Sequence, residues 1–199
     1  MKLIRTLLLS SRTVVSAALM GLFLQDPLIL PEINYYDDFD DAGKKHNVVL
    51  FDDGPCGLNN TDAFIKKIAG AKPGKCILYT CSSDKDYITS FISPWIGGII
   101  SQTANTELLR EGIIAVAGGK RFYCGNIEKL FFSDNEIYNS GLLEVLTVRE
   151  KEVLFLLNEG MTNKEIAGRL SLSIKTIGRH KENIKDKLGL RHTSELYKL

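Results

Sequence analysis

Residues Leu146 to Leu190 read LTVREKEVLFLLNEGMTNKEIAGRLSLSIKTIGRHKENIKDKLGL, and three short helices can be marked out in them by their start and stop signals. Thr147 with Glu150 three positions on is a capping box, and Thr162 with Glu165 is a second. Gly160 and Gly189 stand where the first and third helices need a left-handed residue to stop. Between Leu170 and Ile174 only Ser171, Leu172 and Ser173 intervene, a sharp turn with Ser173 as the N-cap of the third helix. Along that helix Ile177, His180, Ile184 and Leu188 share one face, which is expected to pack on Val153, Leu154, Leu157, Ile166 and Leu170. The opposite side carries Lys175, Gly178, Arg179, Lys181, Glu182 and Lys185.

Two helices at this spacing, the second basic along its outer side, form a helix-turn-helix suited to the major groove of DNA. The motif elements REKEVL, NKEIA, Lys-Thr-Ile, the following His180 and KLG resemble the C-terminal DNA-binding domain of LuxR/NarL-type regulators. The resemblance covers about the last 55 residues. It implies a four-helix domain whose third helix reads bases and whose last, here His192 to Leu199 and short, supports dimerisation.

Charge agrees with a DNA-facing tail. Residues 146–199 hold 11 Lys and Arg against 7 Asp and Glu, while the first 145 residues hold 14 against 17. A basic tail on an acidic front is the asymmetry expected when only the tail meets phosphate. Asn163, Lys164, Lys175, Thr176 and Lys181 are expected to hold phosphates, fixing register without reading sequence, and Ser173 and Lys185 are counted with them among the DNA-binding residues. Base reading is expected of Arg179, which can bond guanine O6 and N7, and of Glu182, which can accept from cytosine N4. Gly178 stands between the helix start and these two and departs from the family, which often has Lys or Arg there; Glu182 departs likewise from Lys. An alternative is that Arg179 and Glu182, at i and i+3, pair with each other. His180 is expected to be a packed, hydrogen-bonded histidine rather than a ligand or proton carrier.

The front of the chain alternates short apolar runs with amphipathic ones. Strands are expected at Ile4 to Leu9, Asn47 to Phe51, Cys76 to Thr80 and Gly97 to Ile100, with another over Glu32 to Tyr36. Helical patterns run from Thr13 to Leu24, Asp62 to Ala69, Asp84 to Ile92 and Asn105 to Ala117. This order predicts an α/β fold, a doubly wound parallel sheet of five strands, followed by the small all-α domain. Over residues 1–125 it resembles the receiver domain of two-component response regulators. VVLFD puts Asp52 at the family's phosphoacceptor position, ILYT puts Thr80 at its switch hydroxyl, and LLREGIIAVAGGKRFY resembles its last helix and the segment after it.

The resemblance also shows what is missing. Phosphoryl transfer to aspartate needs a divalent metal held by carboxylates and a cation on the phosphate. Ser10 and Ser11 replace the metal-holding acidic pair, Ser101 replaces the lysine and Gly98 the switch aromatic. Asp52 and Asp53 alone make a poor magnesium site. The expectation is a degenerate receiver with Asp52 a vestigial phosphoacceptor, no cofactor and no metal. The alternatives are a phosphate-accepting regulator using Asp52, and a protein-interaction regulator with weak DNA reading.

Domain limits are expected at 1–125, a linker with a short helix at 126–143, and 144–199. Asp37, Asp38, Asp40 and Asp41 read as a solvated acidic turn. Cys56, Cys76, Cys81 and Cys124 lack metal or redox spacing and read as reduced thiols. Ser10, Ser11 and Arg12 interrupt the first apolar run, and no uncharged apolar stretch of ~18 residues follows. A cytoplasmic, non-enzymatic transcription regulator is expected, binding double-stranded promoter DNA as a homodimer, with a regulatory protein or small ligand as the input at the receiver-like domain.

Overall fold

The structure is a computed structural model that describes residues 3–10, 13–34, 45–52, 65, 73–132 and 142–198. Its contacts group the chain into two compact units, one of Met1–Phe91 with Trp95–Ile127, the other of Ile92–Pro94 with Glu128–Leu199.

The first unit is a parallel sheet with helices in the connections. Its elements are β1 (Ile4–Leu9), α1 (Thr13–Phe23), β2 (Ile29–Asn34), β3 (Val48–Asp52), β4 (Cys76–Thr80), α2 (Lys85–Ser90), β5 (Ile96–Ser101), α3 (Thr106–Ala117) and β6 (Phe122–Tyr123). The strand order is β2-β1-β3-β4-β5-β6. Leu7, Leu8, Val49, Leu50, Ile77, Leu78, Ile99 and Ile100 are buried, the continuous apolar runs expected of strands covered on both faces.

Among the described residues six strands form where five were expected. β6 is only two residues long, too short to show a period, and it pairs Phe122 with Gly98 and Tyr123 with Ile99. A Cβ on Gly98 would lie 2.9 Å from the Phe122 carbonyl oxygen, so the residue that lacks the family's aromatic is also the one that lets β6 approach. Strand β2 begins three residues earlier than expected, at Ile29, and includes Pro31. Proline breaks a central strand, but β2 is an edge, where its missing N–H costs no ladder bond. Tyr35 and Tyr36 lie outside the described residues. The helix expected from Asp84 starts at Lys85, with Asp84 as its N-cap accepting from Tyr87 N. Of the helix expected over residues 62–69 only Ile65 is described, and it is fully buried.

The second unit contains a 3-10 turn (Leu142–Val145), then α5 (Val148–Asn158), α6 (Asn163–Leu170), α7 (Ile174–Lys187) and a closing 3-10 segment (Thr193–Lys198). Before them runs α4 (Gly125–Phe132). The fourth helix expected at the end of the chain is this 3-10 segment. Leu196 in it is fully buried, and the segment packs on α5 and α7. Among the described residues no helix is long and apolar enough to cross a membrane.

Candidate nucleic-acid interface

The three helices of the second unit are fixed at their ends by the residues that mark them in the sequence. Both capping boxes form: Thr147 accepts from Glu150 N while Glu150 receives Thr147 N at 2.8 Å, and Thr162 and Glu165 repeat the arrangement. Gly160 and Gly189 adopt φ of 79° and 67° after α5 and α7. Ser173 caps α7 by accepting from Thr176 N at 3.0 Å. Ser171, which ends α6, is the one non-glycine with positive φ among the described residues, at 49°. That single left-handed residue turns α6 into α7.

α7 sits on α5 and α6 through Ile177 and Ile184, both fully buried, against buried Val153, Leu154, Leu157, Ile166 and Leu170. Its register is also held by charge. Lys187 donates to Glu150 Oε2 at 2.6 Å, so the capping carboxylate of α5 doubles as an anchor for the last turn of α7. Burial raises the Glu150 pKa, but the bonds from Lys187 and Thr147 outweigh it and leave the carboxyl below its ordinary range. Arg149 joins Glu152 at 2.5 Å and the Leu170 carbonyl at 2.7 Å, tying α5 to the end of α6. Nothing in the helical spacing marks Arg149 for this role, since its second partner is 21 residues away.

The outer side of α7 is where the sequence put it. Lys175, Arg179 and Glu182 are exposed; Gly178, Lys181 and Lys185 are half-buried. Ser173 and Lys164 are exposed, Asn163 and Thr176 half-buried. The alternative pairing of Arg179 with Glu182 is not formed. Glu182 accepts instead from Lys185 at 2.7 Å, and this bond, with one to Asp186, raises the Lys185 pKa. The Thr176 hydroxyl lies 2.7 Å from that of Ser173, so it completes the cap. Lys181 is not a freely moving cation: its Nζ donates to Tyr197 Oη at 2.8 Å and to Asn163 Oδ1 at 3.4 Å. Tyr197 was missed because its role comes from a side chain 16 residues away. A Cβ added at Gly178 would meet nothing within 4 Å, so no internal packing requires glycine there.

His180 corrects one expectation. It is half-buried on the apolar side as expected, but its Nδ1 is buried without a hydrogen-bond partner among the described residues. That nitrogen is enclosed without a bond, in a setting that includes the charges of Arg149, Glu150 and Glu152. Burial, with Arg149 nearby, lowers its pKa below the usual histidine value.

In the first unit the register brings the receiver positions to one edge. Leu9 is level with Phe51, Asp52 with Tyr79, and Thr80 with Ser101, so Ser10, Asp52, Thr80 and Ser101 all lie at the carboxyl ends of neighbouring strands. Open α/β sheets bind ligands at this edge, where the strand order reverses; here that is between β1 and β3. Ser10 Oγ donates directly to an Asp52 carboxylate oxygen, and both residues are buried. Thr80 Oγ1 accepts from Ser82 N at 2.9 Å, and Ser101 Oγ lies 2.8 Å from Thr103 Oγ1. A cavity of about 10 Å³ lined by Ser10, Ser16, Asp52 and Tyr79 has room for a single water.

The described donor set does not fit the magnesium ion of receiver chemistry. One carboxylate bonded by a serine hydroxyl offers too few oxygens, and the described residues contain no group of three or more His, Cys, Asp or Glu that could hold a metal. Ser11, Asp53, Cys56, residues 37–41 and the linker over 133–141 lie outside the described residues.

With this geometry in view, comparisons with known proteins agree on both units. Residues 144–199 match the luxR family of bacterial regulatory proteins. The chain is 32% identical over 164 residues to the oxygen regulatory protein NreC of Staphylococcus aureus (strain bovine RF122 / ET3-1), covering 76% of this chain and 74% of that one. It is 32% identical over 116 residues to the probable transcriptional regulatory protein SgaR of Hyphomicrobium methylovorum, covering 58% of this chain and 52% of that one. The chain thus spans about half the length of SgaR. The fold is similar to that of the Salmonella typhimurium response regulator RcsB, with a TM-score of 0.53 at 21% identity over 100% of this chain and 98% of that one. A further RcsB structure, of two dimers bound to two parallel DNAs, is similar with a TM-score of 0.50 at 21% identity, over 99% and 97% of the two chains.

Proposed function

Because this chain belongs to the luxR family of bacterial regulatory proteins and is a DNA-binding transcription regulator of response-regulator type, we propose that it reads promoter DNA with α7 as a homodimer, under a control other than aspartyl phosphorylation. The observation that carries the DNA reading is the outer face of α7. Lys175 and Arg179 stand exposed on a helix whose other side is locked to α5 and α6, a rigid mount for groove contacts. Lys164 and Lys175 hold phosphates, and Arg179 reads a guanine through O6 and N7. Glu182 is bonded to Lys185 through Oε2 alone, so its other carboxylate oxygen keeps the capacity to accept from a cytosine. The dimeric, DNA-bound state of RcsB supports a two-fold arrangement on inverted half-sites.

Titrating the full chain with duplexes selected from a random library, over a salt series, tests this. Specific binding is expected to exceed non-specific by at least ~1,000-fold. Arg179→Ala is expected to relax preference at one base position, and Lys175→Ala to weaken all sequences alike. Equal effects of the two would overturn the assignment of roles.

Independence from phosphate is supported by Ser10, whose hydroxyl occupies Asp52 where the family keeps a metal-holding acid, and by Ser101 in place of the phosphate-neutralising lysine. A small-molecule phosphoryl donor with magnesium is expected to leave the chain unlabelled and its DNA affinity unchanged. Label on the wild type that is lost in Asp52→Ala, with a change in affinity, would return the protein to the phosphate-switched class.

A further inference from the structure

Lys181, Asn163 and Tyr197 come from three different elements and meet at one point. Lys181 Nζ lies 2.8 Å from Tyr197 Oη, 3.4 Å from Asn163 Oδ1 and 4.7 Å from the centroid of the Tyr197 ring. An ammonium has three N–H donors. Two are directed at these oxygens, which leaves the third available to another acceptor.

The partners are left as donors too. Because Tyr197 Oη accepts from Lys181, its own O–H hydrogen must point away from the lysine. Because Asn163 accepts through Oδ1, its amide NH₂ remains to donate. Asn163 is also the first residue of α6, where the positive end of the helix favours an anion. The carboxylate on that turn, Glu165, turns Oε2 to its capping box with Thr162 N at 2.8 Å and Thr162 Oγ1 at 2.7 Å, while Lys181 bonds to Asn163 and Tyr197 instead. The cluster therefore collects donors and positive charge around a position suited to an anion with several acceptor oxygens.

We propose that Asn163, Lys181 and Tyr197 form one subsite for a DNA backbone phosphate, with Tyr197 as the residue that positions Lys181. The subsite rests on the DNA-binding reading of α7 and adds to it a residue outside the helix-turn-helix. The tyrosine ring and hydroxyl fix the lysine before DNA arrives, so less side-chain freedom is lost on binding. Tyr197 is 51% exposed while its neighbour Leu196 is fully buried. The segment is thus anchored by the leucine, and a change at the tyrosine leaves the core intact.

Full-length wild type, Tyr197→Phe, Tyr197→Ala, Lys181→Ala and the Tyr197→Ala/Lys181→Ala double variant are titrated with a library-selected duplex and with a random-sequence duplex. Tyr197→Ala is expected to weaken both duplexes about tenfold and Tyr197→Phe about threefold, the ring contact surviving in the latter. In the Lys181→Ala background the tyrosine change is expected to cost nothing more, and Lys181→Ala lowers the salt slope by about 0.9. Melting temperatures are expected to stay together. Equal cost of Tyr197→Ala with and without Lys181, no cost at all, or tighter binding, which would make the pair a latch that DNA must break, each overturns the proposal. Loss of preference for the selected duplex in wild type would instead remove the base-reading role of α7 while leaving the subsite standing. Wild type that binds neither duplex removes both.

Discussion

The guanidinium of Arg149 reaches the main-chain carbonyl of Leu170 at 2.7 Å while its other arm holds Glu152 at 2.5 Å. The Glu152 side chain is fully buried, so this is a desolvated charge with its main cation supplied from one turn away. Removing one partner of such a pair is far more costly than replacing both. Arg149→Ala is expected to destabilise the DNA-binding unit by about 3 kcal/mol, read as an earlier transition in urea melts of the full chain. Arg149→Met with Glu152→Leu is expected to recover most of that loss. A cost under about 1 kcal/mol would place the pair among ordinary surface bridges.

The same unit is expected to weaken in acid in two steps. Burial and Arg149 hold His180 below the ordinary value of 6.5. The unfolded chain therefore takes up a proton that the folded chain refuses, and stability is lost as pH falls below about 6.5. Glu150 works at lower pH: burial opposes its ionised form, but Lys187 and Thr147 keep its pKa below the ordinary 4.5. Its contribution is complete above that value and is lost as pH falls through the folded pKa. Melting temperature against pH is expected to show both slopes, and His180→Gln to remove the upper one. An unchanged upper slope in that variant would assign it to another histidine.

Gly178 separates stability from recognition. Its missing side chain has open space around it, so Gly178→Ala is expected to stabilise α7 by about 1 kcal/mol. Glycine in an exposed helix gives close approach of the backbone to a ligand. The alanine variant is accordingly expected to melt higher yet select a different base at one position of the half-site. Unchanged base selection would leave the glycine without a role in reading.

Local signals predicted most of this architecture. The capping boxes, the two glycine stops and Ser173 act within four residues of themselves, and each appears where the sequence puts it. The sheet was legible through its central strands, whose apolar runs need no long-range information. The edges were not: Pro31 conceals the start of β2 because its tolerance depends on where the strand lies in the sheet, and β6 depends on the bare backbone of Gly98. At the interface the composition of the outer α7 face was legible, but its pairings were not. Whether Glu182 meets Arg179 or Lys185, and whether Lys181 is free or held by Tyr197, depends on rotamers and on a segment distant in sequence. The sixth strand and the tyrosine are both products of tertiary proximity, which no periodicity encodes.

The bond from Ser10 to Asp52 has a consequence for genetics. A buried carboxylate that accepts from a neighbouring strand is part of the masonry of the sheet, 3% exposed at its carboxyl edge. Alleles at codon 52 therefore report on folding before they report on signalling. A glutamate introduced there to imitate a phosphorylated state must fit a longer side chain against Ser10, and its phenotype reads as a defect in protein abundance. Immunoblotted protein levels, rather than promoter output alone, are the measure by which such alleles can be compared.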